Sequence, residues 1–382
     1  MKITNDILYV GVNDREIDLF EGQYLVPHGI SYNSYLILDE KVAVMDTVDA
    51  RFGEQWLANI RAVLGDRLPD YLVVQHMEPD HSSAIGAFLS AYPKATLVAS
   101  QKAFGMMKNF YGVGEGEQHL TVGEGNTLSL GRHMLHFYTA PMVHWPEVIV
   151  SYDSTDRVLF SADAFGKFGA LDVSDDWITE ARRYYIGIVG KYGAQVKALL
   201  NKLKDVEIAA ICPLHGPTLS GDLSRYLSLY QIWASYGVEK QGVVIAYTSV
   251  YGNTARAALQ LADLLRARGC TVEAYDLARC DMAAATAAAF CYDRLVLATT
   301  TYNASVFPPM RSFIHSLVEH GFQGRRVGLI ENGSWMPLAA RQMREMLAPC
   351  RDLTFTDTAV KILSSLNEES EAQLRALADE LV

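Results

Sequence analysis

Tyr71-Leu72-Val73-Val74-Gln75-His76-Met77-Glu78-Pro79-Asp80-His81 is an apolar, strand-like run that ends in four potential metal ligands within six residues. In an extended or turning backbone alternate side chains share a face, so His76, Glu78 and Asp80 can converge on one point. The residue types narrow the choice of metal. A zinc hydrolase usually takes imidazole or thiolate at such positions, whereas carboxylate placed among imidazoles suits iron or manganese and leaves exchangeable positions for a small ligand. The bland alternative is a polar surface turn.

Three more candidates each follow an apolar stretch. His144 comes after Phe137-Tyr138-Thr139-Ala140, Asp163 after Val158-Leu159-Phe160, and His215 after Ile208-Ala209-Ala210-Ile211. Strand ends and the loops behind them are where a rigid scaffold presents ligands. Any one of these alone reads as an ordinary polar residue at a strand end. Together with His76, Glu78 and Asp80 they are enough to hold two metal ions.

A second, independent signature begins at Val243-Val244-Ile245-Ala246-Tyr247, which reads as a buried parallel strand. Thr248-Ser249-Val250-Tyr251-Gly252-Asn253-Thr254 follows, and then a helix with Ala258, Leu261, Leu264 and Leu265 on one stripe. Hydroxyls and backbone amides in such a turn can cradle a phosphate at the helix N-terminus without Lys or Arg. The turn lacks the Lys-Ser/Thr ending of a P-loop and the three glycines of a dinucleotide fingerprint. Two further loops follow strand-like runs: Thr299-Thr300-Thr301-Tyr302-Asn303-Ala304 and Glu331-Asn332-Gly333-Ser334-Trp335. In a doubly wound sheet all three loops fall at the carboxyl ends of neighbouring strands, where flavin mononucleotide binds. Tyr302 and Trp335 are the candidates to line an isoalloxazine ring.

On these residues the chain resembles the flavodiiron proteins over nearly its whole length. The family pattern His-x-Glu-x-Asp-His, then His, Asp and His appears as His76, Glu78, Asp80, His81, His144, Asp163 and His215. Ser31-Tyr32-Asn33-Ser34-Tyr35, Asp163-Ala164-Phe165-Gly166, Arg183-Tyr184-Tyr185 and Cys212-Pro213-Leu214-His215-Gly216-Pro217 also look like the family, and the Thr248–Thr254 turn looks like a flavodoxin phosphate loop. The resemblance implies two Fe ions: His76, Glu78 and His144 on one, Asp80 and His215 on the other, and Asp163 bridging them. His81 either ligates or stands back from the metal. It further implies FMN, reduction of dioxygen to water or of nitric oxide to nitrous oxide, and detoxification of these gases in an anaerobe or microaerophile. Tyr185, His28 and His81 are the residues it offers for steering protons and orienting bound gas.

The implied fold is a metallo-β-lactamase-like αββα sandwich (α+β) over residues 1–240, joined to a flavodoxin-like doubly wound parallel sheet (α/β) over residues 241–382. Leu223 to Tyr236 has helical spacing and closes the first domain, and Gly237-Val238-Glu239-Lys240-Gln241-Gly242 reads as the linker. Strands near 243–247, 271–277, 292–298, 326–331 and 353–358 alternate with helices.

Composition fits a two-domain enzyme: the 382 residues are half apolar, enough for sizeable cores. No apolar run approaches the roughly 18 residues that span a bilayer, and the start Met1-Lys2-Ile3-Thr4-Asn5-Asp6 lacks a secretory pattern. The expectation is a cytoplasmic protein without membrane contact. A net charge of −11 argues against nucleic-acid binding. The five cysteines are scattered with no CxxC pair, so these residues hold no rubredoxin-type iron site, and the expectation is that electrons come from a separate donor, such as rubredoxin or a reduced deazaflavin. Domains of these sizes have radii of gyration of roughly 18 and 14 Å. Sites on both domains of one extended chain are then far apart, and a head-to-tail homodimer, or a dimer of dimers, brings one chain's FMN to the other's irons. Two rival readings remain at this level: a metal hydrolase with a regulatory flavodoxin, and a non-catalytic redox sensor or electron carrier.

Overall fold

The apolar run ahead of His76 forms the strand Tyr71–Val74 in the computed structural model, which describes residues 1–116, 118–174 and 176–382. The chain divides into two units, Met1–Gln231 and Ile232–Val382.

In the first unit this strand is inside a six-stranded sheet ordered Ile7–Tyr9, Tyr35–Leu38, Val42–Met45, Tyr71–Val74, Thr96–Ala99, His119–Thr121. From Val42–Met45 onward the pairings are parallel. Parallel neighbours need crossover connections, and the helices Gly53–Leu64, Ile85–Ala91 and Gln101–Tyr111 lie in them. Gly53–Leu64 shows why such a segment docks: Trp56, Leu57, Ile60 and Leu64 recur at helical spacing and are buried. A second six-stranded sheet runs Thr127–Ser129, Met134–Thr139, Ile149–Asp153, Val158–Phe160, Ala210–Cys212, Leu219–Ser220. The two sheets share one core, in which Ile37, Met45, Val73 and Val98 meet Leu135, Phe137, Ile149 and Phe160. Tyr35 sets its ring edge-on to Phe160 at 5.6 Å. Each wholly buried aliphatic or aromatic side chain here contributes about 1.5–3 kcal/mol. The result is the αββα sandwich, with the loops after Tyr71–Val74, Met134–Thr139, Val158–Phe160 and Ala210–Cys212 carrying the candidate ligands.

The second unit has a parallel sheet ordered Val272–Asp276, Lys240–Tyr247, Tyr292–Tyr302, Arg326–Asn332, Thr354–Ile362. In chain order that is 2-1-3-4-5, the doubly wound arrangement. Helices Asn253–Ala267 and Glu368–Glu380 cover one face through Ala258, Leu261, Leu265, Leu374 and Leu377. No helix among the described residues is long and apolar enough to cross a membrane.

The division between the units falls inside the helix Ser224–Ala234, ahead of the stretch 237–242 that reads as a linker. The reason is Arg325. Its guanidinium, 3% exposed, donates to the carbonyls of Tyr236 (2.9 Å), Gly237 (2.9 Å), Phe290 (2.5 Å), Tyr292 (2.7 Å) and Gln323 (2.9 Å). Burial lowers its pKa to about 10, so it stays charged at neutral pH. The carbonyls around it have been taken out of water, and each loses about 1–3 kcal/mol if left unpaired. Arg325→Leu is therefore expected to destabilise the second unit by at least about 3 kcal/mol, seen as an earlier urea transition. A midpoint equal to that of the native chain would show that the clamp is dispensable.

Candidate functional site

Four strand ends converge on one cluster of histidines and carboxylates. His76, Glu78, His144 and Asp163 form one group, and Asp80, His81 and His215 a second, each with ligand atoms within 4.8 Å of one another. In the first, Glu78 Oε2 lies 3.2 Å from His76 Nε2 and 3.0 Å from His144 Nε2. In the second, Asp80 Oδ2 lies 3.2 Å from His81 Nε2 and 3.3 Å from His215 Nε2, and the two ring nitrogens are 3.0 Å apart. Asp163 faces both groups. Its Oδ2 is 3.2 Å from His76 Nε2 and 3.0 Å from His144 Nε2, while its Oδ1 is 3.5 Å from His81 Nε2 and 3.9 Å from His215 Nε2.

Backbone and side-chain contacts hold these groups in place. Glu147, which sequence reasoning passed over, accepts from Met77 N at 2.9 Å and meets His76 Nδ1 at 2.9 Å, leaving Nε2 to face the cluster. The Ser31 carbonyl is 2.7 Å from His215 Nδ1 and orients that ring likewise. The motif around Ser31 then acquires a physical role. Asn33 donates to the carbonyls of Pro213 and Gly216 at 2.8 and 2.7 Å, Tyr35 donates to Pro213 O at 2.8 Å, and Ser31 Oγ accepts from Gly216 N at 2.8 Å. Asp46 accepts from Gln75 N at 2.7 Å and from the Gln75 amide at 2.8 Å, fixing the backbone just ahead of His76.

The proton-steering candidates fall differently. His81 is in the second group. His28 is exposed and lies outside both groups. Tyr185 sets its ring edge-on to Tyr230 at 5.1 Å. Its neighbour Tyr184 takes the cluster side instead, because adjacent helical residues point about 100° apart. The Tyr184 ring is 5.5 Å from His215, and its buried hydroxyl has no hydrogen-bond partner among the described residues. Burial, joined by the charges of Asp163, Glu78 and Asp80, holds that hydroxyl far above its ordinary pKa. The Glu21 carboxyl, on a residue whose surface is otherwise exposed, is pushed up to about 7 by burial and by the charge of Glu78.

The cluster fits cations. All four carboxylate oxygens of Asp80 and Asp163 are buried without a well-directed hydrogen bond, which is costly unless a positive charge faces them. Burial opposes a charged His76, but Asp163, Glu147 and Glu78 outweigh it and hold its pKa well above the usual value. His144 is raised in the same way, to about 9, by Asp163 and Glu78 against burial. A third group, Asp6, His133 and Asp156, is already served by the Arg132 guanidinium, which pairs with Asp6 and stands 3.8 Å from Asp156.

In the second unit a cavity of about 460 Å³ opens beside the three polar loops. Ser249, Val250, Tyr251, Asn253, Thr254, Thr301, Tyr302, Asn303, Ala304, Asn332, Gly333, Ser334 and Trp335 line it, joined by Thr300, Met336, Leu338 and Ser364. Thr248 and Gly252 do not. Thr248 is buried, with its hydroxyl 2.6 Å from that of Thr299. Gly252 is the turn residue, at φ +88° with its N–H donating to Ser249 Oγ at 3.0 Å, just before the helix Asn253–Ala267. Tyr251 and Trp335 are about nine-tenths exposed, at 92% and 89%.

The raised His144 pKa has a measurable consequence. Without metal its ring is protonated below about pH 9, whereas a bound cation needs the neutral imidazole, so binding below that pH expels at least this proton. Apparent affinity for ferrous or manganous ion is expected to climb at least tenfold per pH unit below pH 9, since His76, also held above its usual pKa, must give up its proton as well, as read by competition with a chelating dye. An affinity that does not change with pH would sink this account.

Residues 30–216 match the family model described as ODP family beta lactamase. The chain is 32% identical over 326 residues to the nitric oxide reductase of Moorella thermoacetica, covering 83% of this chain and 81% of that one. Among solved structures, the rubredoxin oxygen:oxidoreductase from Desulfovibrio gigas superposes with a TM-score of 0.92 at 28% identity, covering 100% of this chain and 97% of the other. The flavodiiron protein from Giardia intestinalis does so with a TM-score of 0.92 at 27% identity, covering 100% and 95%. With sequence similarity along most of its length and superposition along all of it, the chain belongs to the flavodiiron protein family.

Proposed function

We propose that this chain passes electrons through FMN to a pair of iron ions and on to dioxygen, giving water, to nitric oxide, giving nitrous oxide, or to both. Family membership implies a flavin and a diiron site, and the residue-level assignments rest on the geometry above. One observation carries the reading: a single buried carboxylate, Asp163, turns one oxygen to each of two ligand groups. Such a carboxylate suits a bridge between two ions. The arrangement supports His76, Glu78 and His144 as ligands of one iron and Asp80 and His215 of the other, with His81 within reach of the second. Carboxylates interleaved with imidazoles favour iron over zinc.

When bound, the metal pair supplies Lewis acidity and electrons to a small gas molecule. The chain's own residues do the rest. Glu147 and the Ser31 carbonyl keep His76 and His215 in the orientation that presents Nε2. Tyr184 stays protonated at neutral pH, so its hydroxyl serves as a donor beside the cluster and does not compete as an anion. In the second unit, the hydroxyls of Ser249 and Thr254 and the N-terminus of the 15-residue helix Asn253–Ala267 support a phosphate site. The exposed faces of Trp335, Tyr251 and Tyr302 are suited to a flat aromatic ring.

Electrons are assigned to a separate donor, of which rubredoxin and a reduced deazaflavin are the leading kinds, because the five cysteines form no CxxC pair. The working unit is inferred to be a head-to-tail homodimer. Dilution below its dissociation midpoint is then expected to slow reoxidation of flavin, and a monomer as fast as the dimer would remove the dimer from the account.

Reduced, metal-quantified protein mixed anaerobically with dissolved oxygen or nitric oxide is expected to consume gas over many turnovers. Asp163→Asn should abolish this with FMN retained, and Tyr184→Phe should slow it about 100-fold with iron retained. Flavin oxidation equally fast in Asp163→Asn would overturn the proposal.

A further inference from the structure

Met77 stands between His76 and Glu78 and is wholly buried. Both of its backbone polar groups are held by side chains. Met77 N donates to Glu147 Oε1 at 2.9 Å, and Met77 O accepts from Ser82 Oγ at 2.9 Å. The same serine hydroxyl lies 2.9 Å from Glu78 O, which also accepts from His81 N at 3.0 Å. One hydroxyl thus fixes the carbonyls before and after the Glu78 side chain.

Both holders are tied in turn to one helix, Gln101–Tyr111. At its start Ser100 Oγ accepts from Ala103 N at 3.2 Å as the N-cap and donates to Glu147 O at 2.7 Å. At its end the hydroxyls of Tyr111 and Ser82 are 2.7 Å apart. The direction of this last bond follows from counting hydrogens. A serine hydroxyl carries one, and Ser82 commits it to two carbonyls that can only accept, so Tyr111 is the donor. The helix has 11 residues and is about 16 Å long. It closes a circuit from Met77 N through Glu147, Ser100 and Tyr111 to Ser82 and back to Met77 O, and a regular helix holds the two grips at a fixed spacing. Phe110 adds a second brace at the same end: its ring stacks on Trp145 with the planes 13° apart, and Trp145 sets its edge to His76 at 5.3 Å.

We infer that Tyr111 is a positioning residue for the metal centre: its hydroxyl holds Ser82 against the carbonyls of Met77 and Glu78 and so keeps the His76–Glu78 segment turned toward the cluster. Tyr111 acts through Ser82 and not on the cluster itself. In Tyr111→Phe the ring keeps its place and one hydrogen bond is lost, which is worth a factor of about five in an equilibrium. Ser82→Ala takes the donor from Met77 O as well, and outer partners of this kind are typically worth 10- to 100-fold in metal affinity.

The inference rests on the proposed iron site, and the test separates the two. Native chain, Tyr111→Phe, Ser82→Ala and the double variant, all full length and carrying FMN, are loaded anaerobically with ferrous iron. Iron per chain, its rate of release to a chelator, the electron paramagnetic resonance spectrum of the half-oxidised centre and amide hydrogen exchange over residues 77–82 are then measured. Tyr111→Phe is expected to release one of two irons about fivefold faster, with an altered spectrum and faster exchange over residues 77–82. Exchange in the strand Tyr71–Val74 should stay at the native rate, as evidence that the fold is intact. Ser82→Ala should release that iron at least tenfold faster, and the double variant should match Ser82→Ala, because two residues acting through one bond do not add. A Tyr111→Phe chain that holds iron yet keeps the native release rates, or the native exchange over residues 77–82, overturns this inference alone, and so does a double variant in which the two losses multiply. A native chain that holds no iron overturns the site reading and this inference together.

Discussion

Asp163 is wholly buried, and its two carboxylate oxygens face different sets of imidazoles. Removing a carboxylate from water costs several kcal/mol that only well-placed positive charge offsets. Glu78 and Asp80 add two more acidic groups within the same few ångströms, and the ion-pair partners of all three are histidines. The surrounding structure must therefore hold its ligands against their own repulsion. It does so with strand ends whose backbone is committed to two sheets, and with Glu147, Asp46, Ser31 and Asn33, each bonded to a ligand or to the chain beside one. The sandwich core between the sheets, with Val73 and Phe160 among its members, keeps those strand ends from drifting apart.

The clustering of His76, Glu78, Asp80, His81, His144, Asp163 and His215 and both sheets were legible because their determinants are local. His76 to His81 lies within one turn after one strand, and each remaining candidate follows its own apolar run. The loops of the second unit were legible for the same reason, since in a parallel doubly wound sheet the carboxyl ends of neighbouring strands must lie side by side. Thr248 reads from sequence as part of the turn, yet it closes a buried hydroxyl pair with Thr299, a contact between strands that no single run of residues records.

What escaped the sequence is non-local or depends on a rotation. Glu147 is three residues beyond His144, and only the folded chain shows that it serves His76, which is 71 positions away. The choice between Tyr184 and Tyr185 depends on the helical phase of Trp177–Tyr184, and one residue of phase moves a side chain from the cluster to Tyr230. His28, offered for steering protons, is exposed and lies outside both groups, a placement that only the folded chain shows.

These differences sort the parts of the site by how freely they can vary. None of the clustered side chains can move without losing its strand end, and the strand ends cannot move without opening the core. That is consistent with near-complete superposition on relatives at 27–28% identity. The hairpin Leu19–Leu25 is under a different constraint. It contributes two anchoring rings and a turn whose tip makes no backbone pairing with either sheet, so the residue at the tip can change in charge and reach while Phe20 and Tyr24 stay seated.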